Sequence, residues 1–240
     1  MYARDVEDRV LTFGVSGKLI QNALVMYDRE TDSLWSQFLG YAVRGDFEGT
    51  KLDTIGSSLV TWEEWRARHP ETQVLDQGGR RRGDPYSGYY RGNSAGVLGE
   101  SVRDDRLGRK EFVVGVQWGD SARAYPFRAL NDEPVRNDHF EGRDIVVVFG
   151  QESADASVYS RDVDGRALTF EIAYGELLDA AGAAVPMRDL ETGSIWDGRF
   201  GTAVSGPLAG TQLEELPSLT VFWFAWTDFY PRTELFEPEG

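Results

Sequence analysis

A repeat within this sequence limits the possible fold more than any other feature. Residues 1–13 (MYARDVEDRVLTF) match residues 158–170 (VYSRDVDGRALTF) at an offset of 157 positions. The match resumes at an offset of 161 positions for DRETDSLW (28–35), GTKL (49–52) and TWEEWRARHPET (61–72). Self-similarity of this kind indicates one structural unit used more than once. We therefore predict a tandem duplication of a β-rich unit of roughly 160 residues.

The repeat divides the chain into three parts. The first repeat covers 1–76, a connecting loop rich in Gly and charged residues covers 77–110, and the second repeat with its lead-in strands covers 111–240. The segment EFVVGVQWGDSARAYPFRAL (111–130) precedes the second repeat, whereas the first repeat starts level with Val158, inside a predicted strand. We therefore expect the first repeat to be truncated at its N-terminus, by a shortened chain or a misplaced translation start.

Most of the chain has the composition of short strands. Segments such as RVLTFGV, EFVVGVQW and DIVVVF are rich in Val and Phe and are bounded by Gly, Asp or Asn, which is typical of strands. Short helices are predicted at Thr61 to Arg68, at Phe127 to Asn131 and at Phe222 to Phe229. The last of these is far more apolar than its counterpart in the first repeat, so we expect it to be buried more deeply.

The predicted fold class is therefore mainly β (α+β), with tandem-duplicated β-rich units and a few short helices. A chain of 240 residues can form one large domain or two small ones. The sequence is compatible with two arrangements: the units share one core, or they lie side by side. Of the two arrangements we favour a shared core with pseudo-twofold symmetry.

The chain is acidic, with 40 Asp and Glu residues against 25 Lys and Arg residues and a formal net charge of −15. Such a charge repels nucleic acid and anionic membrane surfaces, so we predict neither as a partner. An acidic surface either attracts cationic partners or keeps a protein dissolved in concentrated salt, where its self-repulsion is screened. Because the charges are scattered along the chain, we favour halophilic adaptation.

Residue counts also limit the chemistry. The chain has no Cys, which rules out disulfides and thiolate metal sites, and its two His residues are too few for a multi-histidine metal site. We find no P-loop, nucleophile elbow, dinucleotide-binding or EF-hand pattern, and we predict neither a metal nor a cofactor. The sequence contains neither an export signal nor an apolar run long enough to span a membrane, and the location of the protein stays open.

Several segments together resemble a known family. LTFGVSG (11–17), LVMYDRETDSLWSQ (24–37), DPYSGY (84–89) and VVGVQWGDSARAYPFRAL (113–130) are similar to the bacterial and archaeal domain of unknown function 3179 family, along essentially the whole chain. Members of that family usually carry a Cys-x-x-Cys type segment just before the strand that corresponds to LTFGVSG (11–17). In the second repeat GQESADAS (150–157) stands in the corresponding place and contains no Cys. The resemblance implies an architecture without an assigned activity.

Positions kept in both repeats are explained most simply by a packing requirement that both repeats have. By this reasoning one Asp pair and several Trp pairs are structural: Asp28 with Asp189, Trp35 with Trp196, Trp62 with Trp223, and Trp65 with Trp226. The Trp side chains would supply large apolar burial.

Residues found in the first repeat alone are better functional candidates. Tyr27, Arg29 and Gln37 align with different residue types in the second repeat. Near Asp28, such side chains are suited to a polar or anionic ligand, with Arg29 as a bidentate clamp. An ordinary hydrogen-bond network at the edge of a sheet is the alternative.

Two further clusters are candidates. Asp84 and Tyr86 lie in DPYSGYY, where aromatic rings beside a carboxylate suit a sugar face or a cationic ligand, although an Asp-Pro turn explains the segment equally well. Asn137, Asp138 and His139 combine an amide, a carboxylate and an imidazole that can transfer protons. A turn that leads into the next strand is the alternative for these three residues.

Two functions fit these residues. The first, which we favour, is a non-catalytic small-molecule-binding or structural module. The alternative is an enzyme that acts on a small polar or anionic substrate in a pocket between the repeats. An enzyme needs Asp28, Arg29 and Gln37 in one pocket, whereas a scaffold leaves them dispersed.

Overall fold

A computed structural model describes most of the chain, namely residues 1–57, 60–76, 78, 86–151, 153–173 and 185–237. The fold is mainly β, as predicted. The strands are β1 (Asp5–Val6), β2 (Arg9–Val10), β3 (Phe13–Ile20), β4 (Ala23–Asp28), β5 (Leu34–Ser36), β6 (Ala42–Arg44), β7 (Phe112–Trp118), β8 (Ser121–Pro126), β9 (Val135–Phe140), β10 (Arg143–Gly150), β11 (Asp155–Ser160), β12 (Asp162–Val163), β13 (Arg166–Ala167), β14 (Phe170–Ile172), β15 (Pro186–Asp189), β16 (Ile195–Asp197), β17 (Thr202–Ser205), β18 (Leu219–Phe222) and β19 (Glu234–Leu235). The helices are α1 (Trp62–Arg68), α2 (Ser87–Arg91), α3 (Phe127–Asp132) and α4 (Trp223–Phe229). In the described part of the chain, no helix is long and apolar enough to cross a membrane.

Residues 1–76, which we call the first unit, contain a four-stranded antiparallel sheet in the order β3-β4-β5-β6. A two-residue turn joins β3 to β4, and both of its residues, Gln21 and Asn22, have positive φ. Two successive residues of this kind form a type I′ turn, whose twist matches that of an antiparallel hairpin. A register shift between Val15 and Lys18 then brings Phe13 opposite Asp28, the last residue of β4.

Residues 158–237, which we call the second unit, contain a sheet with the same strand order, β14-β15-β16-β17. Phe170 pairs with Asp189, as Phe13 pairs with Asp28. The hairpin β1-β2 likewise has a counterpart in β12-β13. These elements follow one another at the two offsets of the sequence match. A twofold axis between the units stays a prediction.

The lead-in strands before the second unit form the hairpin β7-β8 and, with β11, the antiparallel sheet β11-β10-β9. The hairpin is the centre of a four-stranded sheet in the order β18-β7-β8-β19. Strand β18 pairs antiparallel with β7, and β19 pairs parallel with β8. Because α4 lies between β18 and β19 in the chain, the hairpin holds both ends of this helix.

Each unit has its own apolar core, and Phe38 joins the units. Trp35 of the first unit and Trp196 of the second are fully buried in separate clusters. Phe38 comes from the first unit but is buried in a cluster with Trp226 of α4. Its ring also stacks on that of Phe229, with a centroid distance of 4.1 Å. The two cores are therefore distinct, and the first unit contacts the second through helix α4.

Helices α1 and α4 occupy matching positions in the two units but differ in burial. Trp223 and Trp226 of α4 are fully buried, as its apolar sequence predicts. Trp62 and Trp65 of α1 are 51% and 39% exposed, so the burial expected for them is wrong. The physical reason is the β7-β8 hairpin, which packs against α4 and has no counterpart over α1 among the described residues.

A methyl group at position 115 is expected to disturb this contact. Gly115 lies on β7 against the indole of Trp226, and a Cβ atom there would lie 2.2 Å from a ring carbon. Both residues are buried, so the indole has to shift from its packed position to make room for the methyl group. We expect Gly115→Ala to lower the free energy of unfolding by about 1–3 kcal/mol, measured by urea denaturation. Gly88→Ala, where a methyl group meets no other atom, is the control. Equal urea midpoints for both variants would contradict the packing described.

The described part of the connecting loop, 86–110, packs against both units. It contains helix α2. The side chain of Asn22, in the turn of the first unit, accepts a hydrogen bond from the backbone N–H of Leu98 at 2.7 Å and donates one to the carbonyl of Gly99 at 2.6 Å. Asp228 of α4 accepts hydrogen bonds from the backbone N–H groups of residues 101–102. The connection is thus held at two points.

Candidate functional site

Asp28 is a fully buried carboxylate at the end of β4. Its Oδ2 accepts a hydrogen bond from the indole N–H of Trp35 at 2.8 Å, and its Oδ1 accepts one from the backbone N–H of Thr31 at 2.6 Å. Burial alone raises the pKa of a carboxyl, but these hydrogen bonds outweigh burial and hold the pKa of Asp28 below its usual value. The ionised side chain therefore fixes the turn between β4 and β5.

The second unit contains the same arrangement around Asp189. Its Oδ2 accepts a hydrogen bond from the indole of Trp196 at 2.9 Å, and its Oδ1 accepts one from the backbone of Thr192 at 2.5 Å. Here too burial raises the pKa of the carboxyl, while the hydrogen bonds lower it further than burial raises it. The recurrence favours a structural role for both carboxylates over a role for Asp28 in ligand binding.

The other first-unit candidates do not form one site with Asp28. Arg29 is exposed, with its guanidinium carbon 5.6 Å from the centroid of the Tyr27 ring. Gln37 donates its backbone N–H to the carbonyl of Leu24, near the opposite end of β4 from Asp28. Four residue steps along the strand separate Leu24 from Asp28, roughly 13 Å at the usual rise of a strand. The structure therefore brings Tyr27 and Arg29 together and places Gln37 apart.

Asn137 and His139 lie on β9 and have separate partners. The side-chain amide of Asn137 donates to the carbonyl of Phe170 at 2.6 Å and accepts from its N–H at 2.9 Å. In this way it links β9 to β14 as a backbone amide would. His139 is exposed, and its Nδ1 lies 3.0 Å from a carboxylate oxygen of Asp144. Each of the two side chains bonds to its own neighbour, so Asn137 and His139 do not form one site.

Asp138 points away from both neighbours, because alternate residues of a strand face opposite sides of the sheet. Its Oδ2 accepts hydrogen bonds from the Tyr125 hydroxyl and from Arg123, both at 2.6 Å. Burial raises the pKa of Tyr125, and the hydrogen bond to Asp138 raises it further, so the phenol stays protonated. Arg123 also pairs with Glu234 of β19 at 2.6 Å. This network joins β8, β9 and β19.

The last candidates lie in the connecting loop. Asp84 is outside the described residues. Tyr86 precedes helix α2 and is 63% exposed. A ligand site formed by these two residues stays a prediction.

One buried ion pair was not identified from the sequence. Arg199 and Asp155 are each 3% exposed, and Nη2 of the arginine donates to Oδ2 of the aspartate at 2.9 Å. Beside them, burial raises the pKa of Asp197, even though Arg68 of α1 lies 3.6 Å away. The available sequence signal was the alignment of Arg199 with Phe38, which places a charge where the first unit has an aromatic ring.

A pocket of about 270 Å³ lies between the two units. One wall comes from the first unit and consists of Met1, Tyr2, Gln37, Phe38, Leu39, Lys51 and Thr54. The other wall comes from β7 and the second unit and consists of Gly115, Gln117, Trp118, Pro217, Ser218, Leu219, Trp226 and Tyr230. Of the described residues that were proposed from the sequence as ligand contacts, Gln37 is the one that lines this pocket.

The pocket combines aromatic surface with hydrogen-bond donors. Trp226 is fully buried behind it. Burial, together with the smaller effect of the neighbouring phenols of Tyr2 and Tyr41, raises the pKa of Tyr230 to about 12, so its hydroxyl remains a donor at neutral pH. The Tyr2 hydroxyl donates to the carbonyl of Gln37 at 3.0 Å. Within the described residues, neither the Tyr230 hydroxyl nor the side chain of Lys51 has a hydrogen-bond partner.

The described residues form a mainly β protein in which two four-stranded sheets have the same strand order, with a pocket lined by residues of both parts. The chain belongs to the family described as Protein of unknown function (DUF3179), whose model matches residues 1–233. The resemblance noted from the sequence is thus confirmed. No curated protein and no solved structure matches the chain. Because that family has no assigned activity, function has to be argued from the site itself.

Proposed function

We propose that the protein is a non-catalytic small-molecule-binding module whose ligand occupies the pocket between the two units. One observation carries this proposal. The pocket is walled by the buried indole of Trp226 and lined by Lys51 and Tyr230, whose polar side-chain atoms have no partner among the described residues. An apolar concave surface with a few polar groups is typical of ligand sites.

The chemistry of the lining favours a ligand with a flat apolar body and a carboxylate or carbonyl group. Trp118 offers aromatic surface to the body of such a ligand, with the buried indole of Trp226 behind the wall. Lys51 and Tyr230 can donate hydrogen bonds to its oxygen atoms, and Gln37 can donate or accept. In a chain with a net charge of −15, Lys51 provides local attraction for an anion.

The same lining groups bear on the enzyme hypothesis. Asp28 and Arg29, which that hypothesis needs around the pocket, are not among the lining residues, whereas Gln37 is. The ionisable side chains that line the pocket are one lysine and two phenols. The lining therefore lacks the carboxylate and the guanidinium that the enzyme hypothesis required, so we favour binding over catalysis.

Phenylacetate and its uncharged match, phenylacetamide, test the proposal when each is titrated into the protein in a calorimeter. We expect phenylacetate to bind at one site and phenylacetamide to bind more weakly. Lys51→Gln is expected to weaken phenylacetate about two- to fivefold, because Lys51 is exposed and an exposed ion pair contributes about 0.2–1 kcal/mol, and to leave phenylacetamide unchanged.

Two variants serve as controls. Lys18→Gln removes an exposed lysine on β3 and is expected to leave both affinities unchanged. Ser218→Trp fills the pocket and is expected to abolish binding of both compounds. The proposal is overturned if phenylacetate shows no saturable binding at millimolar concentration, or if Ser218→Trp binds as the unmodified protein does.

A further inference from the structure

The two units contact each other through the same helix position. Phe229 of α4 stacks on Phe38 of the first unit, with a centroid distance of 4.1 Å. Arg68 of α1 precedes Phe229 by 161 positions, which is the offset of the repeat. Its guanidinium carbon lies 3.9 Å from the centroid of the Phe200 ring in the second unit, and Phe200 matches Leu39, the neighbour of Phe38. The contacts are therefore reciprocal, one made by a ring and the other by a cation.

The second unit binds the guanidinium of Arg68 with a ring, a hydroxyl and a carboxylate. Besides its contact with Phe200, Arg68 donates from Nη2 to the hydroxyl of Thr202 at 3.3 Å, and its Nη1 lies 3.6 Å from Oδ2 of Asp197. The Asp197 side chain is only 10% exposed, and its Oδ1 accepts the backbone N–H of Arg199 at 3.1 Å. A planar guanidinium stacked on a ring and faced by a fixed carboxylate makes a directional contact.

The inter-unit pocket lies at the first of these contacts. Phe38 is one of its lining residues, whereas Arg68 and Phe200 are not. The first unit is also held to α4 by Gln21, whose side-chain amide donates to the backbone carbonyl of Asp228 at 2.8 Å. Two bodies held only along one helix can still rotate about it, and such a rotation changes the distance between the pocket walls. A second contact, made by α1, removes this freedom.

We infer that Arg68 is a positioning residue for the inter-unit pocket, and that its contact with Phe200 fixes the spacing of the two walls. This inference rests on the proposed function, because it assigns part of the affinity of that pocket to a residue outside it. A ligand binds the arrangement with the correct spacing, so its apparent affinity falls with the fraction of molecules that keep this arrangement. Arg68 thus acts on the ligand without touching it.

Spin labels on the two walls measure their spacing in the absence of a ligand. The chain has no Cys, so cysteines introduced by Asp53→Cys and Asp120→Cys are labelled selectively. Both aspartates are exposed and lie within two residues of Thr54 on one wall and Trp118 on the other. We expect double electron–electron resonance to give one narrow distance distribution, and Arg68→Ala in the labelled protein to broaden it.

Two further variants of the labelled protein identify the stacking contact. Arg68→Phe introduces the residue type found at the matching position 229, where the ring stacks on Phe38. We expect this side chain to stack on Phe200 and to keep the distribution narrow, which a general loss of stability would not allow. Arg66→Ala, at an exposed arginine of the same helix, is the matched control and should leave the distribution unchanged.

Calorimetry with phenylacetate measures the effect on the pocket itself. In the unlabelled protein, we expect Arg68→Ala to weaken phenylacetate about three- to tenfold, since a cation–π contact and an ion pair are lost together. Arg68→Phe and Arg66→Ala are expected to bind phenylacetate as the unmodified protein does.

The inference is overturned if Arg68→Ala and Arg66→Ala give the same distance distribution, or if Arg68→Phe broadens the distribution as much as Arg68→Ala does. It is also overturned if the unmodified protein binds phenylacetate and Arg68→Ala binds it equally well. A complete absence of phenylacetate binding to the unmodified protein overturns the proposed function instead, and the distance distributions then decide whether Arg68 fixes the spacing of the walls.

Discussion

Trp226→Ala is expected to lower the free energy of unfolding by about 3–5 kcal/mol, whereas Trp65→Ala at the matching position should lower it by about 1 kcal/mol. The indole of Trp226 is fully buried between Gly115, Phe38 and Tyr230. Its removal leaves a cavity that the surrounding strands cannot fill. The indole of Trp65 is already 39% exposed, so its truncation removes less buried surface and leaves no closed cavity.

Urea denaturation of the two variants measures this difference, provided that the slope of the free energy of unfolding against urea concentration is unchanged. Trp62→Ala, at a residue that is 51% exposed, should behave like Trp65→Ala. Equal losses at positions 65 and 226 would show that the two helices are covered to the same extent, contrary to the structure.

Several strands and three of the four helices in the described residues were predictable because each is encoded locally, whereas helix α2 lies in a segment predicted to be loop. Short runs rich in Val and Phe gave the strands, and the offset of 161 positions placed α1 level with α4. The burial of Trp62 and Trp65 was not predictable in this way. It depends on whether the β7-β8 hairpin lies over the helix, and that contact joins residues far apart in the sequence.

The candidate site was even harder to predict from the sequence, because its residues lie far apart in the chain. Comparison of the repeats identified Gln37, which does line the pocket, because a residue present in one repeat alone has no common packing role. It gave no indication of Tyr2, Lys51 or Tyr230, since these residues come from distant segments and form no motif. Asn137 was proposed for its polar side chain, yet that side chain replaces a backbone hydrogen bond between two strands. Sequence alone does not distinguish this use of an amide from ligand binding.

Removal of the buried carboxylates is the second large effect that we expect. Asp28→Ala leaves the indole N–H of Trp35 and the backbone N–H of Thr31 without their acceptor inside the protein. Each buried donor left unpaired costs about 1–3 kcal/mol, so the free energy of unfolding should fall by about 2–4 kcal/mol. Asp189→Ala should have an effect of similar size, because its hydrogen bonds are the same. Asp8→Ala, at an exposed residue, is expected to stay within about 0.5 kcal/mol of the unmodified protein.

The pH dependence of unfolding separates the stabilising effect of the negative charge on these carboxylates from the effect of their shape. Hydrogen bonds hold the pKa values of Asp28 and Asp189 below their usual value of 3.8 in the folded protein. Below that usual value the unfolded chain binds more protons than the folded protein, so stability decreases as the pH falls. The contribution of each carboxylate is therefore complete above pH 3.8 and is lost as the pH drops through the lower folded pKa. In the Asp28→Asn, Asp189→Asn double variant this part of the acid dependence should disappear. If the double variant loses stability on acidification as steeply as the unmodified protein, the two carboxylates do not carry the charge that the hydrogen bonds imply.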